Sequence, residues 1–150
     1  MPSKPRAIEV GRGELLREGD RVALLGYGLG VPIALRAASL LEEHDVEVAV
    51  ADARFAKPLD TELVASLAAE HELLVTIEDG VLNGGFGSAV AEHLADADLS
   101  GDVRLLRIGL PDRYVTHGKP ALLHKEVGLT PEAIAERVLE AVTGRTGALV

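Results

Sequence analysis

The sequence predicts an α/β fold: a three-layer, open, mostly parallel sheet of about five strands with helices on both faces. Three observations carry this expectation. Apolar runs such as RVALLGY (21–27), VEVAVA (46–51) and ELLVTI (72–77) are near-continuous, as in strands buried on both faces. Segments with a 3.6-residue apolar stripe separate them. Glycines and prolines punctuate the changes of period.

The elements follow in order. Ala7–Val10 alternates and is expected as a short strand. GRGELLREGD (11–20) reads as a turn with a short edge element. Arg21–Tyr27 is the first buried strand, broken by Gly28-Leu29-Gly30. Val31–His44 is a helix, with Val31, Ala34, Ala38 and Leu41 on one stripe and Pro32 in the first turn. Val46–Ala51 is the next strand. Asp60 is the expected N-cap of a helix over Thr61–Glu70. Glu72–Ile77 is a third buried strand, followed by a glycine loop and a helix over Gly85–Ala97. Val103–Ile108 is a fourth, with a loop over 109–118, a short helix over Pro120–Glu126 and a final helix opened by Thr130-Pro131.

The 150 residues suit one domain, assigned to 7–143 between a polar lead-in (1–6) and a tail (144–150). The formal net charge is −9 and no Lys/Arg cluster occurs, so general nucleic-acid binding and anionic membrane surfaces are excluded as partners. A small anion remains compatible, because a local nest of N–H groups can override net charge. The absence of cysteine excludes disulfides and thiolate sites. No apolar run reaches about 18 residues, and MPSKPRAIEV lacks a signal-peptide core. A cytoplasmic protein is expected.

Several stretches carry candidate chemistry. IEDGVLNGGFGS (77–88) places Gly84, Gly85, Gly87 and Ser88 at a helix start, where free N–H groups suit an anion. No P-loop lysine follows, and Glu78 and Asp79 lie just upstream. Close backbone approach is therefore the preferred role of the glycines. Glu78 and Asp79 leave a strand on opposite sides, so they do not share a proton; accepting backbone N–H bonds within the loop suits them better. Gly26-Tyr27-Gly28-Leu29-Gly30 has the frame G-x-G-x-G rather than G-x-G-x-x-G, and Asp52 is the nearest candidate for a ribose acid. A tight strand-to-helix turn explains it better. Asp52, Arg54, Lys57 and Asp60 form a charged loop, in which Arg54 is placed for a partly buried carboxylate pair. Asp112, Tyr114 and His117 lie in the loop after the fourth buried strand, at the sheet edge where α/β folds bind ligands. His44, His71, His93 and His124 show no metal spacing with one another or with His117.

Three segments taken together, DARFAKPLD (52–60), TIEDGVLNGGFGS (76–88) and IGLPDRYVTHG (108–118), resemble the C-terminal domain of the 1-deoxy-D-xylulose-5-phosphate synthases, transketolase-like thiamine diphosphate enzymes. The resemblance runs from about Ile8 to Val142. It implies a parent that condenses pyruvate with glyceraldehyde 3-phosphate, feeding isoprenoid, thiamine and pyridoxal phosphate synthesis. It implies three domains, a homodimer, one antiparallel strand near a sheet edge, and thiamine diphosphate with magnesium held elsewhere in the parent. No G-D-G metal–diphosphate opening occurs here. The chain is thus expected to bind no cofactor, to have no catalytic or metal residue of its own, and not to turn over alone. Its expected partners are the remaining domains and a second copy of the chain. On this reading Glu78, Gly84, Gly85, Gly87 and Ser88 form an interface or anion loop, Asp52, Arg54, Lys57 and Asp60 a structural loop, and Asp112, Tyr114 and His117 a contact loop. Two alternatives stand beside it: a stand-alone small-anion or regulatory domain, and the equivalent domain of another transketolase or of a 2-oxo acid dehydrogenase β-subunit.

Overall fold

The computed structural model describes residues 5–113 and 118–144. Most of the lead-in expected over 1–6 lies outside these residues, as does the tail beyond Gly144. The elements run β1 (Glu14–Arg17), β2 (Val22–Tyr27), α1 (Gly30–Glu42), β3 (Val48–Asp52), α2 (Thr61–Glu70), β4 (Leu73–Val81), α3 (Phe86–Asp96), β5 (Arg104–Leu110), α4 (Pro120–Glu126) and α5 (Pro131–Thr143). One five-stranded sheet has the order β1-β3-β2-β4-β5. All its pairings are parallel except that of β1, which runs antiparallel to β3 at the sheet edge.

Strand periodicity divides the core into two layers. Val22 and Leu24 of β2, with Val48, Val50, Val75 and Ile77, pack under α1 and α5. Ala23 and Leu25, with Ala49, Ala51 and Leu74, pack under α2 and α3. Successive side chains thus serve opposite faces. This is why the strand sequences are near-continuous runs rather than alternating ones. Helix ends are set locally as well. Asp60 caps α2 by accepting from Leu63 N–H at 3.0 Å, and Thr130 caps α5 by accepting from Ala133 N–H at 3.2 Å.

Two expectations are corrected. Ala7–Val10 is not a strand: Ile8 and Val10 are 62% and 71% exposed, and the free edge of β3 is taken by Glu14–Arg17 instead. Local alternation cannot tell which of two neighbouring segments wins a single edge. Strand β4 also continues past Ile77 to Val81, where a register shift lets Val81 pair with Leu110. That irregularity lies at Glu78-Asp79-Gly80, which had read as loop.

Strands β2 and β4 are neighbours, yet α1 leaves β2 toward one face and α3 leaves β4 toward the other. The carboxyl ends of these two strands form the topological switch point, the place where open α/β sheets make their crevice. Tyr27 and Glu78 are register partners there. The crevice is partly closed by backbone: a Cβ on Gly30 would overlap the Ile77 carbonyl oxygen.

Candidate functional site

Glu78 is the centre of the switch point. It is 3% exposed, and its two carboxylate oxygens are both used. Oε2 accepts from Phe86 N–H at 2.8 Å and Oε1 from Gly87 N–H at 2.9 Å. These are N–H groups of the first turn of α3, which have no partner inside the helix. Charge-assisted bonds and the positive end of the helix dipole together offset the burial of the carboxylate.

Glycines make room for it. A Cβ on Gly80, Gly85, Gly87 or Gly109 would stand 2.5–3.3 Å from a Glu78 side-chain atom. Gly84, at φ +74°, turns the chain into the helix in a conformation that favours glycine. Ser88 Oγ closes the loop, donating to Leu82 C=O at 2.7 Å and accepting from Gly84 N–H at 3.1 Å. Arg107 on β5 donates to the same Oγ at 3.0 Å. Asn83 donates to Asp112 at 3.2 Å, joining the loops after β4 and β5. Asp79 faces away from Glu78's partners and pairs with His124 of α4 at 3.3 Å. Tyr27 stacks on Phe86 with ring centroids 5.1 Å apart. A cleft of about 510 Å³ opens beside the group, lined by Tyr27, Lys57, Glu78, Val81, Asn83 and Phe86 among others.

The loop over 52–60 divides its work. Asp52 Oδ1 accepts from Arg54 N–H at 2.8 Å. The Arg54 guanidinium, a quarter exposed, pairs with Glu14 of β1. Asp60 caps α2 with Oδ1, while its Oδ2 accepts from Gly13 N–H at 2.9 Å. Arg54 and Asp60 therefore pin β1 to the sheet edge. Arg12 reinforces the pin: its bond to Glu62 and the nearby acids raise it further above its ordinary high value, so it stays cationic. Lys57 does not join them; it is exposed and lines the cleft. Tyr114 and His117 lie outside the described residues.

Glu78, Gly84, Gly85, Gly87 and Ser88 are thus brought together, and Asp112 is drawn in through Asn83. Sequence reasoning had not singled out Thr76, Asn83 or Arg107. Arg107 sits in an apolar run and Thr76 looks like any strand threonine. Only the strand period links them: Thr76 and Glu78 are two apart on β4. Among the described residues, no group of three or more His, Cys, Asp or Glu could hold a metal ion. None of the described helices is long and apolar enough to cross a membrane.

A family model described as transketolase, C-terminal domain, matches residues 11–134. The chain belongs to the transketolase C-terminal domain family. Among curated transketolase-related proteins it is 53% identical over 137 residues to a probable 1-deoxy-D-xylulose-5-phosphate synthase 2 of Oryza sativa subsp. japonica, covering 91% of this chain and 19% of the relative. It is 52% identical over 134 residues to the 1-deoxy-D-xylulose-5-phosphate synthase of Trichormus variabilis, covering 89% and 21%. The chain therefore spans about a fifth of the length of these relatives. Among solved structures, a chain titled split gene transketolase, inactive β4 tetramer, superposes with a TM-score of 0.82 at 33% identity, over 91% of this chain and 44% of that one. Transketolase from Campylobacter jejuni shares the fold, with a TM-score of 0.62 at 17% identity over 92% of this chain and 20% of that one.

The switch point of this transketolase C-terminal fold does not suit a thiamine diphosphate–magnesium site. Such a site needs free donors for the diphosphate and a set of oxygen ligands for the metal. The Phe86 and Gly87 amides at the switch point are already bonded to Glu78, Asp79 is turned to His124, and among the described residues no group of three or more His, Cys, Asp or Glu could hold a metal ion.

Proposed function

We propose that this chain is the C-terminal domain of a thiamine diphosphate-dependent 1-deoxy-D-xylulose-5-phosphate synthase, a cytoplasmic homodimer making isoprenoid precursors. Its work is to pack on the neighbouring domain and to contribute subunit contact, without turnover of its own. The observation that carries this reading is the sharing of about half of all residues with such synthases over nearly the whole domain. The thiazolium electron sink that pyruvate decarboxylation needs belongs to the cofactor. Thiamine diphosphate and magnesium are assigned to the parent's other domains. The split-gene transketolase chain, titled an inactive tetramer, supports a part that assembles without catalysing. A regulatory anion site at the glycine loop is the weaker reading, because Glu78 already occupies two of its amides.

A domain exchange tests the proposal. The C-terminal domain of the Trichormus variabilis synthase is replaced by this chain, and 1-deoxy-D-xylulose 5-phosphate formation and molar mass are measured. The expected result is an active dimer, with no turnover by this chain alone. A folded chimera that neither dimerises nor turns over overturns it.

A further inference from the structure

We infer that the switch point is a complete small-carboxylate binding site whose ligand happens to be covalently attached, as the side chain of Glu78. Two independent features point to this. The first is the cradle itself: two amide N–H donors on one carboxylate, within a shell of glycines that leaves space for that group and little else. The second is Thr76. Its hydroxyl is fully buried and has no hydrogen-bond partner among the described residues. It lies against Gly87, where a Cβ would meet Thr76 Oγ1 at 2.8 Å and Glu78 Oε1 at 3.3 Å. A buried hydroxyl left without a partner is costly. One position at Gly87 would thus contact both this hydroxyl and the Glu78 carboxylate, yet no bond joins the two.

The attached ligand has a free counterpart. Truncating Glu78 to alanine removes one CH₂ and the carboxylate, the skeleton of acetate. The space left behind is bordered by Phe86 N–H and Gly87 N–H, with the Thr76 hydroxyl across Gly87, and it adjoins the cleft along which Lys57 stands. Acetate is therefore the ligand of the Glu78→Ala protein, and its freedom to shift lets it engage the Thr76 hydroxyl.

The test is thermal unfolding of this chain and its variants in sodium acetate, with sodium chloride at matched ionic strength as the control. Glu78→Ala is expected to unfold several degrees below the wild type. Acetate raises its midpoint along a saturable curve, as ligand linkage requires, and leaves the wild type unmoved. Glu78→Gln, which keeps the space filled, shows no acetate response. Thr76→Val barely changes the wild-type midpoint, but in the Glu78→Ala background it weakens acetate binding roughly tenfold or more, the loss of one bond to a charged group. Should Glu78→Ala be unfolded without ligand, acetate must refold it. A variant that acetate neither stabilises nor refolds, or an acetate response equal in the wild type or in Glu78→Gln, overturns the proposal. An unchanged acetate affinity in the Thr76→Val double variant removes Thr76 from the site.

Discussion

A single methyl group tests the crevice at the residue scale. Gly30 sits where a Cβ would overlap the Ile77 carbonyl, whereas Gly101 has open space around it. Gly30→Ala is expected to cost more than about 2 kcal/mol, as overpacking against backbone does. Gly101→Ala should stay within roughly 0.5 kcal/mol of the wild type, as surface changes usually do. Urea unfolding of both variants checks the contrast, and equal midpoints would remove close packing as the reason for Gly30. Not all of this was legible in the sequence. Glu78 accepting loop amides followed from its position before the glycines and from the acid's misfit with phosphate. The unpaired state of Thr76 and the partners of Arg107 did not follow, because both depend on how β4 sits against α3 and β5. That packing joins residues far apart in the chain, and no local pattern records it.

Among the elements, β1 is the one whose place depends most on side chains. It is four residues long, its leucines are more than two-fifths exposed, and a bulge interrupts its register with β3. Asp60 serves it and α2 together, one carboxylate oxygen to each. Asp60→Ala is expected to lose more than an ordinary cap, about 2–3 kcal/mol against the usual ~1. Amide exchange at Gly13 should accelerate along with that at Leu63. Faster exchange at Leu63 alone would mean that β1 is held by other means. The helices α2 and α4 kept the boundaries expected from their caps and prolines. The strand boundaries moved, since strand ends answer to partners across the sheet rather than to their own residues. The extension of β4 to Val81 is one case, made by Leu110 on the neighbouring strand.

Charge is unevenly spread over the molecule, with acids in excess at one edge of the sheet. The amino ends of the parallel strands carry exposed acids, among them Glu18, Asp20, Glu43, Asp45, Glu47, Glu72, Asp98 and Asp102. A twofold contact there would set like charges against each other. The opposite edge carries Lys57, Arg113, Lys119 and Lys125 alongside exposed Leu29, Val81 and Leu122. The proposed subunit contact is expected to use this second edge. Leu122→Glu in the chimeric synthase is then expected to weaken dimerisation roughly tenfold or more, with the unfolding midpoint of the isolated chain unchanged. Glu47→Lys, at the acidic edge, should leave assembly as it was. Sedimentation equilibrium reads both, and the reverse pattern would move the contact to the other edge.

The stitching of β1 also sets an order in time. Its bonds to Arg54 and Asp60 span 40 and 47 residues of chain. Of the sheet's strands it is the first to be synthesised, yet its partner strand follows only at Val48–Asp52 and its clamps are complete only once Asp60 has left the ribosome. Closing so long a loop must be offset by contacts that form only afterwards. The β-α units from β2 onward can build on one another as they appear, while Leu15 and Leu16 wait. The first strand made closes the sheet's edge instead of nucleating it, and a nascent chain stalled between β3 and Asp60 presents an open edge to its neighbours.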